Sequence, residues 1–558
     1  MKNILINIIA LNFSIITAFS QITDPIPDTI TKSGLSVEIE DVLQIPPSDN
    51  EQPLARINIL KMSPDNLNRQ FVNDLRGKLY VIIDNIPSVY LDLAAQHPNF
   101  IDSPGLGTGF GMFAFHPQFM INGKFYTSHG EATGSGSADF QPPVPGTPIH
   151  MQWVIMEWTA PNPLDNSFSG TSRELLRIDF PGNKHGIQDM AFNPNSLQED
   201  PDYGMLYVCI GDGGTTDAGY PGNTQTLGSI FGTILRIDPL GTNGINGQYG
   251  IPADNPFTGT QPDTLPEIWA WGFRNPHRIT WDSGGDGKML IGEIGEKNIE
   301  EVDLGIAGAN YGWNLREGTF LYDWTQNELV FPLPANDSTF SFTYPVAQYD
   351  HDEGFAIIGG FVYRGSAAAQ LSGKYIFGDI KNGRVFYTEA DSLIDGRQYE
   401  IHELTLTQNG EEIELSELVN DDRVDLRFGL DDNGEIYVLT KADGMVRKLI
   451  GDNVATAINR IPTGQPEGFA LIQNYPNPFN PITTFRYGLP EDGLVNITIY
   501  DTMGRIVKNL VNRQENAGYK SIQWNSINNE GKQISAGLYF YTIETEKFSQ
   551  TKKMILLK

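Results

Sequence analysis

Apolar and polar positions along the chain follow one recurring local pattern, a glycine followed by a short run of β-forming residues. It occurs as Gly77-Lys-Leu-Tyr-Val-Ile82, Gly123-Lys-Phe-Tyr-Thr-Ser128 and Gly204-Met-Leu-Tyr-Val-Cys209. It returns as Gly287-Lys-Met-Leu-Ile-Gly292, Gly373-Lys-Tyr-Ile-Phe-Gly378 and Gly434-Glu-Ile-Tyr-Val-Leu439. Asn or Asp precedes the glycine at Asn122, Asp286 and Asn433, the signature of a tight hairpin turn. Each run reads as the second strand of a hairpin, and long amphipathic helical patterns are scarce. Six such units predict an all-β fold, a six-bladed β-propeller whose radial repetition leaves only short edges exposed.

Between these strands, residues 130–165 and 211–265 are rich in Gly, Pro, Ser and Asn. Both are too long for plain turns, and long loops on a rigid scaffold are where sites are built. After Lys448 the pattern stops, and 451–468 reads as a linker. Asn474-Tyr-Pro-Asn-Pro-Phe-Asn-Pro481 then forbids a helix. Beyond it short alternating runs follow, Val495–Tyr500, Ser521–Trp524, Gly537–Ile543 and Met554–Leu557. They predict a small immunoglobulin-like β-sandwich over 469–558. The proline-rich segment, the turn from Tyr500 to Arg505 and the Gly537-Leu-Tyr strand resemble the C-terminal sorting domain of proteins exported by the type IX secretion route. That resemblance implies the type IX machinery as a partner and a secreted or cell-surface destination, reached through the periplasm.

Composition narrows the picture further. Met1-Lys2-Asn3, the apolar stretch Ile4–Phe19 and the small residues around Ser20 read as a signal peptide over 1–20, with cleavage before Gln21. No later stretch has the ~18 apolar residues of a membrane span, so none is expected in the mature protein. At 558 residues two or three domains are expected. The main one spans 21–450. A formal net charge of −30 argues against nucleic acid as a partner. The single cysteine, Cys209, excludes an intrachain disulfide and sits in an apolar run that reads as buried.

Four stretches carry candidate chemistry. His185, in Asn183-Lys-His-Gly-Ile-Gln-Asp, offers an imidazole that can take a proton at neutral pH, beside a glycine that permits close approach. Trp271-Gly-Phe-Arg-Asn-Pro276 presents the Arg274 fork and the Asn275 amide, suited to a planar, multiply charged ligand or to an internal ion pair. Glu293–Val302 and Gly308–Trp313 gather oxygen donors of the kind calcium prefers. Lys381 follows a repeat strand, and Tyr349, Asp350, His351 and Glu353 cluster before it. His-Glu-x-x-His and Cys-x-x-Cys-His do not occur. Gly107-Thr-Gly-Phe-Gly111 lacks the context of a dinucleotide site.

These stretches, together with Phe113–Phe119, Tyr207–Gly214, Gly232–Asp238, Gly359–Gly365 and Asp379–Gly383, resemble the soluble glucose/sorbosone dehydrogenases, especially their aldose sugar dehydrogenase branch. The resemblance implies oxidation of the C1 hydroxyl of an aldose to a lactone, with pyrroloquinoline quinone (PQQ) and Ca2+ as cofactors. It casts His185 as the general base. Arg274, Asn275, Lys381, Arg423 and Arg427 would hold the quinone. The carbonyls of Gly295 and Glu296 would ligate calcium, with Glu301 and Tyr311 supporting a second, structural calcium. The sequence departs from the family pattern at Lys184, near Gly107 and Thr108, and in the spacing of Arg423 and Arg427. Alternative readings are a cofactor-less carbohydrate- or protein-binding module and a metal-assisted lactonase or hydrolase. The sugar and the electron acceptor are not specified by the sequence.

Overall fold

The computed structural model describes residues 21–451, apart from 66, 106, 216–218, 260–262 and 327–328. It also describes 466–557, apart from 467, 472–473, 475–478, 480 and 482. The expected signal peptide and nearly all of the expected linker lie outside the described residues, as does much of the proline-rich segment. The chain divides into two compact units after Gly451.

Every one of the six runs is a strand: Lys78–Ile83, Lys124–Ala132, Leu206–Ile210, Met289–Glu293, Lys374–Asp379 and Ile436–Thr440. The turn glycines do the work expected of them. Gly123 has φ of 66°, and a Cβ there would fall 2.1 Å from the Ala160 carbonyl oxygen, so no other residue fits.

How the hairpins join differs from the expectation. Three four-stranded antiparallel sheets are separate: Phe110–Phe115 through Thr171–Phe180, Ile187–Phe192 through Ile268–Trp271, and Pro276–Trp281 through Ala347–Asp350. The rest of the first unit, apart from a small three-stranded sheet over 316–331, is one open, mixed sheet of 13 strands. Two parallel junctions weld it. The long strand Lys32–Gln44 pairs in parallel with His402–Gln408 and antiparallel with Met445–Gly451. Ile57–Met62 meets Leu426–Leu430 through Leu60 and Gly429. A Cβ on Gly429 would lie 2.4 Å from that of Leu60, so the missing side chain permits this contact.

The expected six-bladed propeller with an immunoglobulin-like sandwich is therefore corrected. Among the described residues the protein is an all-β chain of several sheets, none closed on itself. The hairpin count was visible in sequence, whereas pairing between hairpins rests on a first long strand outside the repeat and on one strand glycine. The second unit has two open sheets, of three and four strands, sharing a core that includes Phe485, Tyr541, Trp524 and Met554.

Candidate functional site

His185 sits just before the strand Ile187–Phe192, with its backbone in the left-handed region at φ of 49°. Its ring Nδ1 lies 2.6 Å from Asp212 Oδ1, which also accepts the Gly214 amide at 2.9 Å. Asp212 follows the strand Leu206–Ile210, in Gly211-Asp-Gly-Gly214. Burial alone would raise the Asp212 carboxyl. The charge and hydrogen bond of His185, with Arg274 nearby, outweigh burial and hold it down at about 2. Gly211 packs against this pair, since a Cβ there would lie 2.6 Å from His185 Cβ and 2.9 Å from Asn275 Oδ1. The structure thus brings His185, Asp212 and Asn275 together. Asn275 Oδ1 is buried with no hydrogen-bond partner.

Arg274 joins the cluster through its backbone: its carbonyl accepts the Asp212 amide at 2.6 Å. Its guanidinium turns elsewhere. Nε and Nη2 each reach Glu296 Oε2 at 2.7 Å, Nη1 reaches the Ile294 carbonyl, and the group stacks 5.8 Å from the Trp313 ring. The internal ion pair is the arrangement observed. Glu293 Oε1 clamps the Arg274 and Asn275 amides at 2.6 and 3.0 Å.

The loop carrying Gly295 and Glu296 is folded around a residue that sequence reasoning missed. Glu317 Oε1 accepts the amides of Glu296, Lys297, Asn298 and Ile299 at 2.8–3.2 Å. Gly295 is obligatory, because a Cβ there would meet the Ile299 carbonyl oxygen at 1.8 Å. Behind this loop runs a buried acidic row. Glu301 accepts the Gly318 amide, and its carboxyl is pushed up to about 8 by burial and then by the charge of Glu317. Both oxygens of Asp303 and Oε2 of Glu293 are buried without a partner. Tyr311 lies at the end of the row, stacked 4.2 Å from Phe273, with its hydroxyl donating to the Leu304 carbonyl.

A cavity of about 340 Å³ opens next to the His185 loop. Ile187 and Gln188 line it, and its Gly107 wall approaches Asn183 and Lys184 so closely that a Cβ there would lie 2.7 Å from the Asn183 carbonyl oxygen. The lining also carries the cations Arg56, Arg76, Arg423, Arg427 and Lys441 and the imidazole of His277, with Asp425 the single carboxylate among the described lining residues. Asp425 is paired with Arg423 at 2.9 Å. Burial, with the like charge of Arg278 added, pulls Arg427 down to about 9. Burial and then Arg427 drive Lys441 well below its ordinary value, and burial keeps His277 neutral. The excess of buried positive charge is what a polyanionic ligand would relieve.

Arg423 and Arg427 therefore share one cavity. Lys381 is not among its lining residues: its ammonium lies 3.8 Å from the Phe355 ring centre, and its carbonyl accepts the Val424 amide. Arg56, Lys441 and His277 were also missed. Arg56 and Lys441 are each a lone basic residue beside a strand, with no local motif to mark them, and His277 stands just past the end of the Trp271–Pro276 stretch.

A family model described as glucose / sorbosone dehydrogenase matches residues 168–448, and one described as a secretion system C-terminal sorting domain matches residues 473–557. The chain is 31% identical over 364 residues to HIPL2 protein of Arabidopsis thaliana, covering 57% of this chain and 50% of that protein. It is 26% identical over 241 residues to aldose sugar dehydrogenase YliI of Escherichia coli (strain K12), covering 42% of this chain and 54% of that protein. It thus spans about half the length of these curated relatives. The solved apo form of soluble aldose sugar dehydrogenase from Escherichia coli is similar in fold, with a TM-score of 0.50 at 18% identity, over 74% of this chain and 99% of that one.

Proposed function

The chain belongs to the glucose/sorbosone dehydrogenase family, and on that premise we propose that it is an oxidoreductase acting on sugars, which takes hydride from C1 of an aldose and releases the lactone. The C-terminal sorting domain makes it a secreted or cell-surface protein. Among the described residues no helix is long and apolar enough to cross a membrane.

The observation that carries the reading is the cationic cavity lined by Ile187 and Gln188, the residues that follow the His185 loop. Its lining fits PQQ, a planar tricarboxylate. Arg56, Arg423, Arg427 and Lys441 would hold the carboxylates, and the volume lies in the ordinary range of small-molecule sites, ~300–1,000 Å³. When bound, this group would supply the two-electron acceptor that no side chain offers. The protein's own part is proton handling and alignment. Asp212 fixes the His185 ring through Nδ1 and leaves Nε2 to accept the C1 hydroxyl proton. The ionised Asp212 then stabilises the imidazolium that forms, as a carboxylate does in other histidine-base sites. Asn275 Oδ1, buried and unpartnered, is placed to accept a hydrogen bond from a ligand or substrate group beside Gly211.

The calcium expectation also finds suitable donors. The Glu317-centred loop would present the Gly295 and Glu296 carbonyls, and the Glu301 row, with the unpartnered Asp303 carboxylate, would hold a second ion beside Tyr311.

A binding module is the second reading, favoured by the Arg274–Glu296 pair, which leaves that guanidinium already satisfied. One experiment separates the two: calcium-loaded protein is titrated with PQQ, and dye reduction is followed across a panel of aldoses. Saturable quinone binding with sugar-dependent turnover supports the dehydrogenase. A folded, calcium-loaded protein that binds no quinone supports the binding module.

A further inference from the structure

A second polar cluster lies on the sheet Phe110–Phe115 through Thr171–Phe180, among residues the dehydrogenase reading does not use. His129 and Glu131 are two apart on the strand Lys124–Ala132 and so share one face. The short helix Leu93–Gln96 ends at His97 and delivers a third side chain to the same point. Glu131 Oε1 lies 3.1 Å from His129 Nε2 and 3.3 Å from His97 Nδ1, and the three donor atoms fall within 4.8 Å of one another.

We propose that His97, His129 and Glu131 form a binding site for a borderline transition-metal ion of the zinc type. Two features support it. The spacing is right: an ion ~2.0–2.1 Å from each ligand of a tetrahedron sets the ligands about 3.3 Å apart. The carboxylate is oriented from behind, because Arg177 Nη1 holds Glu131 Oε2 at 2.8 Å and leaves Oε1 to the two rings. Two nitrogens and one oxygen select zinc-like ions over calcium, which prefers six or more oxygens. His97 is the most open of the three, its side chain 15% exposed, and the fourth ligand of a zinc held by three residues is ordinarily water.

The site has a clear structural consequence. Backbone bonds from Ile101 to the Gly130 carbonyl and from Ala132 to the Asn99 carbonyl already lay segment 97–101 along this strand. The ion fastens the helix end to the same strand through side chains, so its affinity appears as stability.

The test uses the full chain in millimolar calcium, which saturates oxygen-only sites, titrated with Zn2+ and separately with Co2+. The expected result is one tight equivalent of Zn2+, a rise in Tm on loading, and visible absorption bands of four-coordinate Co2+. His97→Gln, at the rim, and Glu131→Gln are expected to weaken Zn2+ binding about 100-fold or more, given that loss of a supporting outer group alone costs 10–100-fold. Absence of a saturable equivalent in the wild-type protein overturns the site. So does a His97→Gln variant that is folded and binds Zn2+ with unchanged affinity.

Discussion

Asp212 Oδ1 holds His185 Nδ1 at 2.6 Å while the same oxygen accepts the Gly214 amide. That contact determines which ring nitrogen is left for chemistry. His185→Ala is expected to lower kcat by ~10²–10⁴, the usual contribution of a positioned base, with quinone affinity nearly unchanged. Asp212→Asn should also reduce kcat, because the amide cannot offset an imidazolium. Steady-state kinetics on quinone-loaded protein, with quinone binding measured separately, decides it. Turnover close to wild type in the alanine variant removes His185 from the mechanism.

The same pair makes stability depend on acid. The folded-state carboxyl of Asp212 is depressed from 3.8 to about 2. Its contribution is therefore present in full above pH ~3.8 and lost as pH falls through about 2. The depression corresponds to about 2 kcal/mol, since one pKa unit is worth ~1.4 kcal/mol and the group is buried. Urea unfolding of wild type and Asp212→Asn should show a gap at pH 4 that closes as pH falls through about 2. A gap that widens toward low pH contradicts the assignment.

Lys441 faces the cavity with Arg427 and Arg56 among the charges that depress it. A cation held there against like charges costs stability in the ligand-free protein. Lys441→Met should therefore raise the Tm of the quinone-free protein and weaken quinone binding by tenfold or more, since a charge-assisted hydrogen bond is worth ~1.5–3 kcal/mol. Calorimetry gives both numbers on one sample. A variant that loses stability and keeps its affinity would show that Lys441 serves the scaffold alone.

The split between what the sequence disclosed and what it hid follows from the range of each interaction. Turn glycines such as Gly123 and Gly434 act on their own hairpins, so six strands were legible from local pattern alone. His185 and Asn275 could be singled out because each stands in a distinctive short motif. Asp212 stood in plain view in Gly211-Asp-Gly-Gly214, but its role depends on a loop 27 positions earlier in the chain. The Arg274–Glu296 pair could be foreseen as a possibility and not decided, because the acid competes with a ligand for the same fork. The thirteen-stranded sheet stayed hidden for a similar reason, since Lys32–Gln44 finds its partners roughly 370 to 410 residues away. Arg56, His277, Glu317 and Lys441 acquire meaning only from neighbours distant in sequence.

Glu317 is the least conspicuous of these residues and controls the most backbone. One of its oxygens gathers four successive amides, and Oε2 accepts the Asn298 side chain at 2.6 Å. Glu317→Gln keeps the size and removes the charge that makes these bonds strong. A destabilisation of about 3 kcal/mol is expected, two charge-assisted bonds' worth, with amide exchange accelerated over 296–299. Calcium affinity should fall with it, because the Gly295 and Glu296 carbonyls lose their fixed direction. Unchanged exchange in that loop would show that the strands on either side hold it without the carboxylate.

The two units make separate demands on the sequence. The C-terminal core is built wholly from residues between Leu471 and Leu556, with Phe485 set edge-on to Tyr541 at 4.7 Å and Trp524 packed on Phe479. Its Asp501 turn is likewise self-contained: Oδ1 takes the Met503 and Arg505 amides, and Oδ2 takes the Arg505 guanidinium. The cavity, the His185–Asp212 pair and the Glu317 loop all lie before Gly451. A chain ending after Gly451 should therefore fold and retain quinone affinity within about twofold, a change under ~0.5 kcal/mol. It should no longer reach the cell surface or medium of a host that carries the type IX machinery. Fractionation of such a host, with quinone titration of the purified fragment, measures both. A truncated chain still found outside the cell would show that residues before Gly451 are sufficient for export.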